Sequence, residues 1–245
     1  MNIKTNIIRL KETDSTNRWL ANYTPQQGEE MTVVVADYQT SGRGQGVNTW
    51  ESESGKNLLF SILIHPSMIP LHRQFLLSEA GAIALKSVLD RYTGDIALKW
   101  PNDVYWKDKK LSGTLIQNTI SQHHIKDCIY GIGINVNQMI FKSDAPNPVS
   151  LAQILGRGID KEHLLRQIVE AFEKALKMIE DGDYVDLTAM YHSSLYRQKG
   201  YYTYRDQDGD FEGAIVEVED DGHLILHDRD GKIRSYAFKE VEFVF

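Results

Sequence analysis

Over roughly its first 180 residues the chain alternates short runs rich in Val, Ile, Leu and Thr with stretches whose apolar residues recur at helical spacing. That alternation commits a chain to a sheet covered by helices, so the expected class is α+β, or a two-layer α/β arrangement. Candidate strands fall at 31–36, 57–63, 96–100, 111–118 and 128–136. One helix is expected to begin at Thr13 to Ser15, residues suited to N-capping, and to carry Trp19 and Leu20. A second, over about 72–92, places Phe75, Leu76, Ala80, Ile83, Ala84 and Val88 on one face. A third follows Asp160, with Leu164, Leu165, Ile168, Val169, Phe172 and Leu176 as its apolar stripe.

After Gly200 the texture changes to short alternating runs broken by DQDGD, EDDGH and DRDGK. The glycines supply the positive φ that tight turns demand, so consecutive hairpins and a small β-barrel are expected there. We therefore expect two domains, 1–197 and 198–245, with no flexible linker between them.

Composition narrows the function classes. A formal net charge of −7 lacks the basic footprint of a nucleic-acid binder, and residues 1–30 hold one plausible helix, leaving no room for a DNA-reading domain. No apolar run approaches the ~20 residues of a membrane span, and the polar start has no signal-peptide core, so a cytoplasmic protein without a membrane partner is expected. The single cysteine, Cys128, suits a buried strand position in a reducing compartment. His123 and His124 have no further ligands at metal spacing, so no protein-held metal is expected.

Four segments carry chemistry. The loop SGRGQGVNTW, 41–50, sets three glycines around Arg43, which suits close approach of backbone amides and an arginine fork to an anion; a solvated glycine turn fits equally well. It lacks the Gly-Lys-Ser/Thr of a phosphate-binding loop and the glycine spacing of a dinucleotide fold. LKWPNDVYW presents Lys99, Asn102 and Asp103 at a strand end, where a plain turn would look the same. KKLSGTLIQ opens a strand with Lys110 and places Gly113 three residues on, while GIGINVN puts Gly131 and Gly133 inside a strand that ends at Asn135. Glycine gaps in neighbouring strands suggest a pocket floor.

The ordered set Ser15-Thr16-Asn17, GRG, KWPND, K-x-x-G-x-L and GIGIN resembles the biotin-protein ligases, in a short form without an N-terminal DNA-binding domain. The resemblance runs from Thr13 to Asn135, and the C-terminal hairpins look like that family's small SH3-like barrel. It implies a catalytic domain related to class II aminoacyl-tRNA synthetases. It also implies an enzyme that joins biotin to ATP with Mg²⁺, forming biotinyl-5′-AMP, and passes biotin to a lysine on the biotin carboxyl carrier domain of a carboxylase. A lipoate ligase of the same fold and a non-catalytic biotin sensor are the alternatives. Family members often dimerise through the edge of the catalytic sheet, which makes a second copy of this chain a further candidate partner.

By the same resemblance Lys110 and Arg43 are catalytic, Lys110 as an electrostatic clamp. Ser15, Thr16, Asn17, Gln39, Gly42, Arg43, Gly44, Gln45, Lys110, Gly113 and Gly131 bind biotin. Arg43, Trp50, Asn102, Asp103, Lys110 and Asn135 bind ATP, with Asn135 reading adenine. The chain departs from the family pattern at Gln45 to Asn48, where many members carry arginines, and at Gln117, where glutamate is common. The expected consequence is looser retention of the adenylate.

Overall fold

The computed structural model describes residues 3–44, 46, 48–142 and 147–245. Gln45, one of the expected biotin-binding residues, lies outside the described residues. Seven strands form one sheet in the order β1-β2-β3-β7-β6-β5-β4. They are β1 (Thr5–Thr13), β2 (Met31–Gln39), β3 (Leu58–Ile64), β4 (Ile96–Lys99), β5 (Asp103–Trp106), β6 (Lys109–Ser121) and β7 (His124–Ile134). β1 runs parallel to β2 in register Thr5 to Met31, and all other neighbours are antiparallel.

Side-chain alternation divides this sheet into two faces with different tasks. Val33, Phe60, Ile62, Tyr130, Ile132 and Ile134 enter the main core, under α2 (Phe75–Leu89), α4 (Lys161–Asp181) and α5 (Tyr184–Ser193). The expected stripe of α4 is buried throughout, Leu164, Leu165 and Ile168 completely. At about 1.5–3 kcal/mol for each such side chain, this face supplies most of what holds helix to sheet. Asp160 caps α4 by accepting from the backbone N–H of Glu162 and His163. Ser150 and Gln153 form a reciprocal capping box on the short α3 (Leu151–Leu155).

The opposite face carries only α1 (Thr16–Ala21), whose Leu20 packs with Val34, Leu63 and Ile129. The rest of that face stays open because Gly131 and Gly133 stand where large residues would otherwise be, alternating with core-facing Tyr130, Ile132 and Ile134. Cys128 is on the core side, fully buried, and desolvation pushes its thiol well above the usual range. It is packing, not chemistry.

Five more strands follow: β8 (Tyr202–Asp206), β9 (Gly209–Val218), β10 (Leu224–Asp228), β11 (Ile233–Tyr236) and β12 (Glu242–Phe243). Their order is β11-β10-β9-β8-β12, all antiparallel. The three expected turns are present, with Gly209, Gly222 and Gly231 at positive φ. No ladder joins β11 to β12 among the described residues, so hydrogen bonding leaves the sheet open where a closed barrel is expected. The physical reason is the shortness of β12, whose two residues pair only with β8. This sheet docks on the larger one through Trp100 Nε1, which donates to Gly222 O at 2.9 Å, and through Arg197, which donates to the carbonyls of Thr203 and Val244. Among the described residues no helix is long and apolar enough to cross a membrane.

Candidate active site

A cavity of about 750 Å³ opens on the α1 face of the seven-stranded sheet. Its polar end is built by the start of α1. A helix N-terminus leaves backbone N–H groups without intrahelical partners, and here the Ser15 side chain makes no capping bond. Gln39, at the end of β2, takes that role: its Oε1 accepts from Thr16 N at 2.8 Å and from Thr16 Oγ1 at 3.0 Å. The Ser61 hydroxyl on β3 stands 2.7 Å from Thr16 Oγ1 and 2.6 Å from Asn17 Oδ1. Asn17 Nδ2 donates to Gln117 Oε1 at 2.8 Å, so the Gln117 amide anchors it. Ser15, Thr16 and Asn17 are all buried, and these bonds hold the Thr16 and Asn17 side chains.

The glycines of the floor have named neighbours. A Cβ on Gly131 would fall inside the Asn17 amide, and one on Gly133 would lie 2.7 Å from Trp50 Cζ2. Asp103, Gly113 and Gly133 pair across β5, β6 and β7, forming a row along which nothing stands up except the carboxylate. Trp50 lies in this trough, and its Nε1 is buried without a hydrogen-bond partner among the described residues. The loop that carries it closes on itself, since Trp50 N donates to Gly42 O at 3.0 Å and Gly44 N to Asn48 O at 2.8 Å. Gly42 is required there because a Cβ would meet Trp50 O at 2.8 Å.

Lys110 reaches the cavity through an irregularity. Val104 pairs with Ser112 but Tyr105 pairs with Lys110, so Leu111 is an extra residue in β6. On a regular strand a lysine three residues before a glycine would emerge on the opposite face; the bulge brings it to the side of Asp103 and Gly113. Lys110 Nζ donates to Asp103 Oδ2 at 2.7 Å. The lysine backbone is also gripped from the other edge, accepting from Val149 N and donating to Asn147 O. Asn102 is tied to β6 through Thr114, whose N donates to Asn102 O at 3.1 Å and whose carbonyl accepts from the Asn102 amide.

Ser15, Thr16, Asn17, Gln39, Arg43, Gly44, Trp50, Asn102, Asp103, Lys110, Gly113 and Gly131 all line the cavity. Gly42 and Asn135 do not. Asn135 is buried behind β6, donating its backbone N–H to Leu111 O at 3.0 Å, where it buttresses the bulge.

A further wall comes from a part of the chain that carries none of the motifs. Phe238, Lys239, Val241, Glu242, Phe243 and Phe245 reach the cavity from the C-terminal segment. The density of aromatic residues in the last ten positions was the available signal. Lys99 stands between the two sheets, its ammonium 4.6 Å from the Phe243 ring centre and 5.5 Å from that of Tyr105. Burial pushes its pKa down, Asp103 opposes the shift, and the Lys110 charge adds to it. Arg43, Lys99, Lys110 and Lys239 face the cavity against two carboxylates, Asp103 and Glu242. A net positive cavity in a chain of net charge −7 fits a polyanionic ligand.

Residues 10–135 match the Biotin/lipoate A/B protein ligase family. Among curated proteins, the Bifunctional ligase/repressor BirA of Bacillus subtilis is 30% identical over 234 residues, covering 93% of this chain and 70% of that protein. The Biotin--[acetyl-CoA-carboxylase] ligase of Paracoccus denitrificans is 25% identical, covering 91% of this chain and 95% of its own length. Among solved structures, the biotin protein ligase of Aquifex aeolicus in complex with biotin and ATP superposes with a TM-score of 0.81 at 28% identity, over 98% of this chain and 99% of that one. The ordered motifs, the glycine-floored cavity and the match over residues 10–135 lead to one conclusion: this chain belongs to the biotin/lipoate A/B protein ligase family.

Proposed function

We propose that this chain is a biotin-protein ligase that condenses biotin with ATP to biotinyl-5′-AMP and pyrophosphate, then transfers biotin to a lysine of a carboxylase's biotin carboxyl carrier domain. The observation that carries this reading is one cavity with a pre-arranged hydrogen-bonding end at Thr16, Asn17 and Gln39 and a cationic stretch at Arg43 and Lys110. The polar end suits the ureido ring of biotin, and the space beside the glycine row suits its apolar chain. Such an end discriminates strongly, because an analogue that cannot pair with its buried groups leaves them unsatisfied.

The first chemical step brings a carboxylate to a triphosphate, so its barrier is largely electrostatic. Lys110 begins paired with Asp103 and exchanges that partner for the biotin carboxylate and the α-phosphate, holding the two anions together as charge develops. Arg43 approaches the same phosphate from the loop. Asn102 and Trp50 contact the nucleotide. The hard oxygen donors Asp103 and Glu242, the two carboxylates of the cavity, would hold Mg²⁺, which would supply neutralisation of the phosphate charge. The domains divide near Arg197, so that the C-terminal unit closes one wall of the site.

The test is ATP-dependent transfer of biotin to a purified carrier domain, run beside a lipoyl domain with lipoate. Labelling of the lipoyl domain alone would move the chain to the lipoate branch. At the polar end, Gly131→Ala should displace the Asn17 amide and weaken biotin binding by about tenfold or more, the effect of losing one well-made hydrogen bond. Calorimetric titration with biotin checks this, and an unchanged affinity would remove Asn17 from the biotin site.

A further inference from the structure

We propose that Lys239, delivered from the C-terminal segment, is a phosphate-binding cation for the nucleotide in this active site. The inference rests on the ligase reading above and extends it to a residue outside the family-matched span of 10–135.

Three observations meet at this side chain. First, Lys239 lines the cavity although it belongs to the turn before β12, so the C-terminal segment brings a positive charge to a site otherwise built by the large sheet. Second, its ammonium sits against the glycine loop: a Cβ on Gly46 would overlap Lys239 Nζ, and Gly46 itself has φ +67. Between Ser41 and Trp50 the only basic residue is Arg43. Lys239 therefore provides, from across the cavity mouth, the second cation that the loop does not carry. Third, the lysine backbone is in the left-handed region, at φ +73. Of the six described non-glycine residues with positive φ, Lys239 alone lines the cavity. A long β-unbranched side chain held in a conformation that glycine would adopt without cost points to a use for the side chain itself.

Among the described residues Lys239 forms no salt bridge and no side-chain hydrogen bond; its ring contact is with Phe238, 5.9 Å from the centre. The nearby Glu240 carboxylate is committed to the backbone N–H of Ala237. The ammonium is thus available to an anion, and the polyanion that this cavity takes under the ligase reading is the triphosphate. Because the residue is exposed at the mouth, its attraction is screened by salt and acts on binding and retention more than on the chemical step.

The experiment compares wild-type protein, Lys239→Ala and Lys239→Arg in biotin-dependent pyrophosphate release at low and moderate salt. It is paired with the rate at which preformed adenylate is lost from each. The expected result for Lys239→Ala is an ATP KM raised about tenfold and an adenylate loss accelerated to a similar degree, with kcat changed far less and biotin affinity unchanged. Lys239→Arg should restore both, and the difference should shrink as salt rises. An ATP KM and adenylate loss equal to wild type in Lys239→Ala overturns the assignment, as does a variant whose only change is a lower melting temperature, which would make the residue a structural contact between turn and loop. Wild-type protein that releases no pyrophosphate overturns the ligase reading, and this inference with it.

Discussion

Lys110→Ala is expected to slow biotin-dependent pyrophosphate release by about a thousandfold, the upper range for removing one preorganised group that stabilises developing charge. The effect should fall on kcat, because the ammonium is asked to bridge two anions as they react. Loss of the side chain also leaves the Asp103 carboxylate, 18% exposed, facing the incoming triphosphate without its partner at 2.7 Å. That adds repulsion to the missing attraction. Lys110→Arg should recover only part of the rate, since a planar fork does not reproduce a compact charge at this point. Rapid-quench measurement of adenylate formation, with thermal melting to show that the variant is folded, decides the matter: a wild-type rate would exclude Lys110 from the chemistry.

A second large effect should appear in stability, far from the cavity. Glu79 on α2 is 3% exposed, and its Oε2 accepts from Thr188 Oγ1 on α5 at 2.8 Å. Burial raises its pKa to about 7; the Thr188 bond opposes the shift and the Asp220 carboxylate in the β9–β10 turn reinforces it. Its folded pKa lies above the unfolded value of 4.5, so the folded state holds the proton more tightly. The contribution is full below the unfolded value and is lost as pH rises through about 7. Glu79→Gln keeps a group able to pair with Thr188 and removes the ionisation. The variant should match wild type near pH 4.5 and exceed it by about 3 kcal/mol at pH 8. Urea denaturation of both proteins at the two pH values gives the comparison, and curves that stay parallel would show that Glu79 does not titrate in this range.

Much of the scaffold could be anticipated because it is local. The stripes of α2 and α4, the capping residue Asp160 and the three Asp-Gly turns are each written in a pattern of neighbouring positions. What escaped is carried by separation along the chain. β1 has no distinctive pattern of its own and becomes a strand by pairing in parallel with β2. α5 buries only Leu187 and Tyr191, too few to mark a face. In the cavity, the residues at Ser15 to Asn17, Gln39, Arg43 and the KWPND turn came together as expected. The glycine gaps lie in neighbouring strands, yet what stands against them, Asn17 and Trp50, lies more than sixty residues upstream. Asn135 follows the glycine-rich β7, and the contact that holds it comes from farther along the chain, with Leu151 N donating to Asn135 O.

The extra residue in β6 makes the position of the active-site cation a matter of counting. A strand shows alternate residues to alternate sides, so an odd interval between Lys110 and Gly113 is compatible with a shared side only while Leu111 stands outside the ladder. With either Leu111 or Ser112 deleted the interval becomes even, and a regular ladder would place the ammonium on the Gly113 side without a bulge. The number of residues in this stretch decides whether the ladder must bulge to keep its cation in the cavity.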